Sequence, residues 1–216
     1  KKEENMMSKT SRNIKAVVFD FGGVIEVNED SPNLLRHISE RLKVPYADFR
    51  DVYFKHNHLA NAENLKWEDM LIKAVAVFDA SKEVENEVRD MVRSRELLKT
   101  INTELVSFFP ILRKRGLKIG IFSNHNSELR ERLKCYGLLD SVDTVVISGE
   151  IGHQKPHKEA FQVLFEKLNL RPEEVVFIDD TTRSLEKAGE IGYVHILFKN
   201  NNQLKSDLEN LGISIH

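Results

Sequence analysis

A single cysteine, Cys135, among 216 residues rules out an internal disulfide framework, and no apolar run approaches the roughly 20 residues that cross a bilayer. An excess of one charge is missing as well. The 32 Lys and Arg stand against 34 Asp and Glu, so bulk electrostatics would not hold nucleic acid or an anionic membrane. What remains is a chain expected in a reducing cytoplasm, with a small or modestly charged ligand as its partner. The stretch 1–12 is polar and lacks the apolar core of a signal peptide, so it reads as a loose leader outside the fold. The length suffices for one large domain, or for a core carrying a smaller insert.

Short runs rich in Val, Ile and Phe lie at 15–20, 117–122, 144–147, 174–178 and 193–198, and each reads as a strand buried on both faces. Helical patterns at 103–114, 127–136, 158–168 and 183–191 alternate with them, with Pro110 expected to kink or offset the first, and a last helix is expected near 204–211. This alternation implies an α/β fold with a central parallel sheet flanked by helices.

The stretch 28–100 breaks the rhythm. It has no comparable strand run and carries helix-like segments at 34–42, 66–78 and 84–98, so it reads as an inserted helical domain. In 66–78 the residues Trp67, Met70, Leu71, Ala74, Val75 and Phe78 recur every three or four positions and make one packing face. The charged segment 82–95 reads as a solvated helix face. The expected division is therefore a core of 13–27 and 101–216 with an insert of 28–100.

Four groups stand at the carboxyl ends of the expected strands, where open parallel sheets bind ligands. They are Asp20-Phe21-Gly22-Gly23-Val24, Ser123-Asn124, Lys155-Pro156 and Asp179-Asp180. Each alone has an ordinary reading: a strand-end cap, a turn, a helix start with proline, and a helix cap. Their order and shared location favour a single site.

In that order and on those elements, the four groups resemble the sequence motifs of the haloacid dehalogenase superfamily. The resemblance runs from about Ile14 to Phe198, and the insert resembles that superfamily's helical cap of the C1 class. It implies a Rossmann-like core and a magnesium-dependent phosphohydrolase acting on a small phosphorylated metabolite. Asp20 would be the nucleophile that forms an aspartyl-phosphate, splitting one difficult hydrolysis into two easier steps. Mg2+ would be held by Asp20, the Gly22 carbonyl and Asp180, with Asp179 nearby, although adjacency alone does not rank the two carboxylates. Ser123 and Asn124 would donate to phosphate oxygens, and Lys155 would add fixed positive charge.

The departure is Gly22. Phosphatases of this superfamily carry an acid/base Asp two residues after the nucleophile, and glycine cannot transfer protons. Loss of such assistance costs roughly a hundredfold to ten-thousandfold, most severely for alkoxide leaving groups. His125, Glu26 and Asp30 are the nearest substitutes. A 2-haloacid dehalogenase also lacks the second Asp, but Asp179-Asp180 would repel its carboxylate substrate. A phosphomutase would need the missing proton shuttle, and a pseudophosphatase would bind phosphate or a partner without turnover.

Other residues fit simpler roles. His56 and His58 with Asn57, and His153 with His157, match no zinc spacing. His56, His58 and Trp67 are candidates for the insert surface over the site. Phe21, Phe54, Phe78, Phe108 and Phe109 are expected in the core, and Cys135 is expected to be a buried thiol.

Overall fold

The strand Ala16–Phe19 (β1) is wholly buried because its side chains alternate between two apolar layers. Val17 and Phe19 join one layer with Ile119, Ile121, Val176 and Ile178, while Ala16 and Val18 join the other with Phe122, Phe161 and Phe177. This is the structure of a computed structural model, which describes residues 13–27 and 34–216. The leader expected at 1–12, and Asp30, lie outside the described residues.

Chain order is as follows. After β1 come Glu26–Val27 (β2), the helices Leu34–Leu42 (α1), Tyr46–Asn61 (α2), Trp67–Ala76 (α3) and Lys82–Glu96 (α4), then Thr100–Ile101 (β3). Next are Thr103–Val106 (α5), Phe108–Lys114 (α6), Lys118–Ser123 (β4), Glu128–Cys135 (α7), Thr144–Ile147 (β5), Ser148–Ile151 (α8) and Lys158–Leu168 (α9). The chain continues through Val175–Asp179 (β6), Thr182–Leu185 (α10), Ala188–Ile191 (α11), Val194–Leu197 (β7) and Asn201–Asn210 (α12). No helix among the described residues is long and apolar enough to cross a membrane.

The five-stranded sheet has the order β5-β4-β1-β6-β7, and every neighbouring pair is parallel. Its register pairs Phe19 with both Ile121 and Ile178. The carboxyl ends of β4, β1 and β6 therefore finish side by side, and that alignment assembles the site. Helices α6, α7 and α12 contribute to one layer and α9 to the other.

Helices α1 to α4 form a separate cluster around Ile38, Phe49, Leu71, Ala74, Val75 and Val88. Trp67 and Phe78 pack partly buried against that cluster. The antiparallel pairing of β2 with β3, Glu26 opposite Ile101 and Val27 opposite Thr100, closes the base of the insert.

Several expectations are corrected. Helix α2 has no counterpart in the sequence reading, because exposed Phe54 interrupts the apolar side made by Phe49, Val52 and Tyr53. Phe54 itself is 46% exposed rather than a core residue. Cys135 ends α7 and is exposed, since the helix turns Leu129 and Leu133 inward instead. The helix expected at 183–191 divides into α10 and α11, and that expected at 103–114 breaks at Ser107, so Pro110 falls in the first turn of α6, where a missing amide hydrogen is tolerated.

Candidate active site

Asp20 follows β1 directly, and its amide donates to the Ile178 carbonyl at 2.8 Å, continuing the pairing with β6. Its Oδ1 accepts from the Phe21 amide at 2.7 Å and lies 3.0 Å from Lys155 Nζ. Its second oxygen makes no hydrogen bond among the described residues.

Lys155 comes from the loop after α8, and its side chain is 1% exposed. The ammonium donates to Asp179 Oδ2 at 2.6 Å and to the Phe122 carbonyl at 3.1 Å. It also lies over the faces of Phe122 and Phe177, 5.4 and 5.0 Å from their centroids. A buried ammonium is tolerable only with such partners. Burial pulls the Lys155 pKa down, but the two carboxylates outweigh it and hold the pKa above its usual value.

Asp179 is the last residue of β6 and fully buried. Its Oδ1 accepts from the Thr181 amide at 2.9 Å and from the Thr181 hydroxyl at 2.7 Å. Asp180 is exposed and packs against Gly23, whose φ of +81° is a backbone state open to glycine. A β-carbon at Gly23 would collide with the Asp180 carboxylate, so two neighbouring glycines serve different ends. Gly22 has no heavy atom within 4 Å of where its β-carbon would stand.

Asp20, Asp179 and Asp180 each place a carboxylate oxygen within 4.8 Å of the others. Burial and then the carboxylates Asp179 and Asp180 push Asp20 up, against the pull of Lys155, to about 7. Burial followed by the charge of Asp179 also raises Asp180. Three converging hard oxygen donors with excess negative charge match the chemistry of a divalent cation.

Ser123 ends β4, is 4% exposed, and its hydroxyl makes no hydrogen bond among the described residues. Asn124 is placed differently from the expectation. Its Oδ1 accepts from the Lys155 amide at 2.8 Å and its Nδ2 donates to the Lys155 carbonyl at 3.0 Å, so the amide clamps the lysine backbone. This two-way clamp and the Thr181 grip on Asp179 were not readable from the sequence. Only the proximity of Thr181 to the acidic pair offered a signal.

Of the substitutes considered for an acid at position 22, Glu26 and His125 are occupied, and Asp30 lies outside the described residues. Glu26 is buried and paired with Arg132 and with Lys99 at 3.4 Å. His125 has Nδ1 3.0 Å from the Asn126 carbonyl and Nε2 3.4 Å from Arg132, and burial lowers its pKa. His56 and His58 bond to carbonyls of their own helix, and His153 and His157 are exposed. Among the described residues, the three aspartates are the one group suited to a metal ion.

Comparison with known proteins places this geometry in a family. The chain is 25% identical over 187 residues to a phosphorylated carbohydrates phosphatase of Thermotoga maritima, covering 85% of this chain and 84% of that one. It is 34% identical over 106 residues to the phosphatase MT3486 of Mycobacterium tuberculosis, covering 46% of this chain and only 49% of that protein. A solved HAD-like family hydrolase from Porphyromonas gingivalis superposes with a TM-score of 0.65 at 20% identity, covering 92% of this chain and 98% of that one, which shows the shared fold. Residues 14–190, well over half of the chain, match the family model for haloacid dehalogenase-like hydrolases, and the chain belongs to that family.

Proposed function

We propose that this hydrolase is a magnesium-dependent phosphomonoesterase that acts through an aspartyl-phosphate on a small phosphorylated metabolite. The observation that carries the reading is buried Lys155 joining Asp20 to Asp179, with Asp180 completing a three-carboxylate cluster beside the nucleophile. The phosphatase names of two relatives support the same chemistry.

Asp179 is already engaged by Lys155 and Thr181, so Asp20, Asp180 and the carbonyl of Gly22 are the groups proposed to hold magnesium. When bound, magnesium neutralises the meeting of carboxylate and phosphate and polarises a phosphoryl oxygen. Phe21 and Lys155 fix one oxygen of Asp20 and leave the other to attack phosphorus. That attack forms the aspartate–phosphorus bond as the bond to the leaving oxygen breaks, and the leaving oxygen takes a proton from water. Water then attacks phosphorus, releases inorganic phosphate and restores the Asp20 carboxylate. Ser123 and Lys155 stabilise the phosphoryl oxygens in both steps.

Gly22 supplies no proton, so aryl phosphates, whose phenolates leave unassisted, are the substrates of choice for testing the reading. Phenyl phosphate hydrolysis in magnesium should vanish with a chelator and in Asp20→Asn. No turnover by wild type would leave a phosphate-binding module without catalysis, and release of halide from a 2-haloacid without metal would replace the reading altogether.

A further inference from the structure

Helix α2 is fastened to the core at two places. Near its middle, Phe54 lies under the guanidinium of Arg183, 5.5 Å from ring centroid to Cζ, and Arg183 belongs to α10 just beyond Asp180. Just past its end, the Asn64 side chain accepts from the Ser127 amide at 2.6 Å, and the Leu65 carbonyl accepts from Asn126 Nδ2 at 3.2 Å, both in the loop that follows Ser123. One anchor therefore lies beyond β6 and the other beyond β4.

The sheet order sets β1 between those strands. Strands two places apart are roughly 10 Å from each other, and the seven-residue step from Phe54 to Asn61 covers about 10 Å of helix. Helix α2 thus bridges the end of β1, where Asp20 stands. The interval of seven also returns Asn61 to the helical side of Phe54. Asn61 is 7% exposed, yet its side-chain amide makes no hydrogen bond among the described residues. Phe49, by contrast, packs into the apolar core of the insert from the opposite side.

Arg183 is a surplus charge. The negative cluster at the site is met by Lys155, while Arg183 is exposed and forms no ion pair among the described residues. An isolated arginine on a surface usually faces only water. This one is set over an aromatic ring of the insert, at the boundary between insert and core, on the helix that follows the acidic pair.

We propose that Arg183, positioned by Phe54, forms a subsite for a second anionic group on the leaving portion of the substrate. The reading rests on the phosphatase assignment and narrows it to phosphomonoesters that carry a carboxylate or a second phosphate. The planar guanidinium can donate two parallel hydrogen bonds to either group.

The test compares phenyl phosphate with 3- and 4-carboxyphenyl phosphate and with 1,4-phenylene bisphosphate, in magnesium. Wild type should favour an anionic compound over phenyl phosphate in kcat/KM by about tenfold or more, the scale of one charge-assisted contact. The carboxylate and bisphosphate arms decide which anion fits. Arg183→Gln should bring the ratio close to one, and Arg183→Lys should restore part of it. A ratio near one in wild type, or a preference that survives Arg183→Gln, overturns the subsite while leaving the phosphatase reading intact. If no aryl phosphate turns over, the phosphatase reading fails, and calorimetric Kd values for the same compounds decide the subsite. Equal affinities then overturn it, whereas tighter binding of an anionic compound that depends on Arg183 upholds it as a binding site.

Discussion

Lys155 Nζ sits 2.6 Å from Asp179 Oδ2, with both side chains withdrawn almost completely from water. The pair is a fixed charge support for Asp20, which shares the same ammonium. Breaking a buried pair from one side costs about 3–5 kcal/mol, because the remaining charge is left without compensation. Lys155→Met is therefore expected to lower Tm by on the order of 10 °C in a chain of this size. Adding Asp179→Asn should recover part of the loss, since the stranded carboxylate is then gone. Thermal melts of the two single variants and the double variant measure the coupling.

Two adjacent glycines give opposite expectations. Gly22 has space for a side chain and no left-handed backbone, so Gly22→Asp should fold as well as wild type. If the missing acid limits turnover, alkyl phosphate hydrolysis should rise by about a hundredfold, with little change for an aryl phosphate. Gly23→Ala would place a methyl group in the Asp180 carboxylate and strain a φ of +81°. It should lose stability and raise the magnesium concentration required for activity. Magnesium titrations of both variants separate a proton-transfer effect from a metal-site effect.

The Asp20 pKa of about 7 has a consequence for the metal-free protein. Burial raises the folded-state value above the ordinary 3.8, so the folded state binds a proton more tightly than the unfolded state. The associated stability is present at low pH and drains away as pH climbs from about 4 through 7. Asn at position 20 does not ionise. With chelator at pH 8, Asp20→Asn should melt above wild type, by about 2–4 °C for each kcal/mol recovered, and the gap should narrow towards pH 5. A gap that widens on acidification would contradict the burial argument. Magnesium should close it at pH 8, because the cation compensates the carboxylate in wild type alone.

The five strands of the parallel sheet are legible because strands buried on both faces are written as continuous runs of Val, Ile and Phe. Their ends shift by only a residue or so, as when the run at 117–122 becomes Lys118–Ser123. Strands β2 and β3 are two residues each, too short to show any alternation. Helix α2 is hidden by Phe54, whose exposure reflects contact with Arg183 rather than the apolar core. In the site, strand-end placement points to Asp20, Ser123, Asp179 and Asp180, whereas Lys155, expected directly after its strand, stands beyond α8. The clamp of Asn124 on Lys155 depends on a contact 31 residues away, which no local pattern encodes.

Buried Glu26 on β2 is the meeting point of the insert and the core. It pairs with Arg132 of α7 and with Lys99, which adjoins β3, and the Tyr136 hydroxyl lies 3.4 Å away. Arg132 also lies over the ring of Phe21, the neighbour of Asp20. Arg132→Met keeps a long unbranched side chain but removes its charge, and leaves Glu26 with Lys99 as its one remaining cation among the described residues. Its cost should fall towards the lower end of about 3–5 kcal/mol, because Lys99 survives and Arg132 is partly exposed. The loss should also be local in character. Hydrogen exchange should quicken first at the paired amides of residues 26–27 and 100–101, ahead of β1 and β4 in the sheet. Uniform acceleration across the core strands would mean that Arg132 contributes general stability instead of holding the base of the insert against the core.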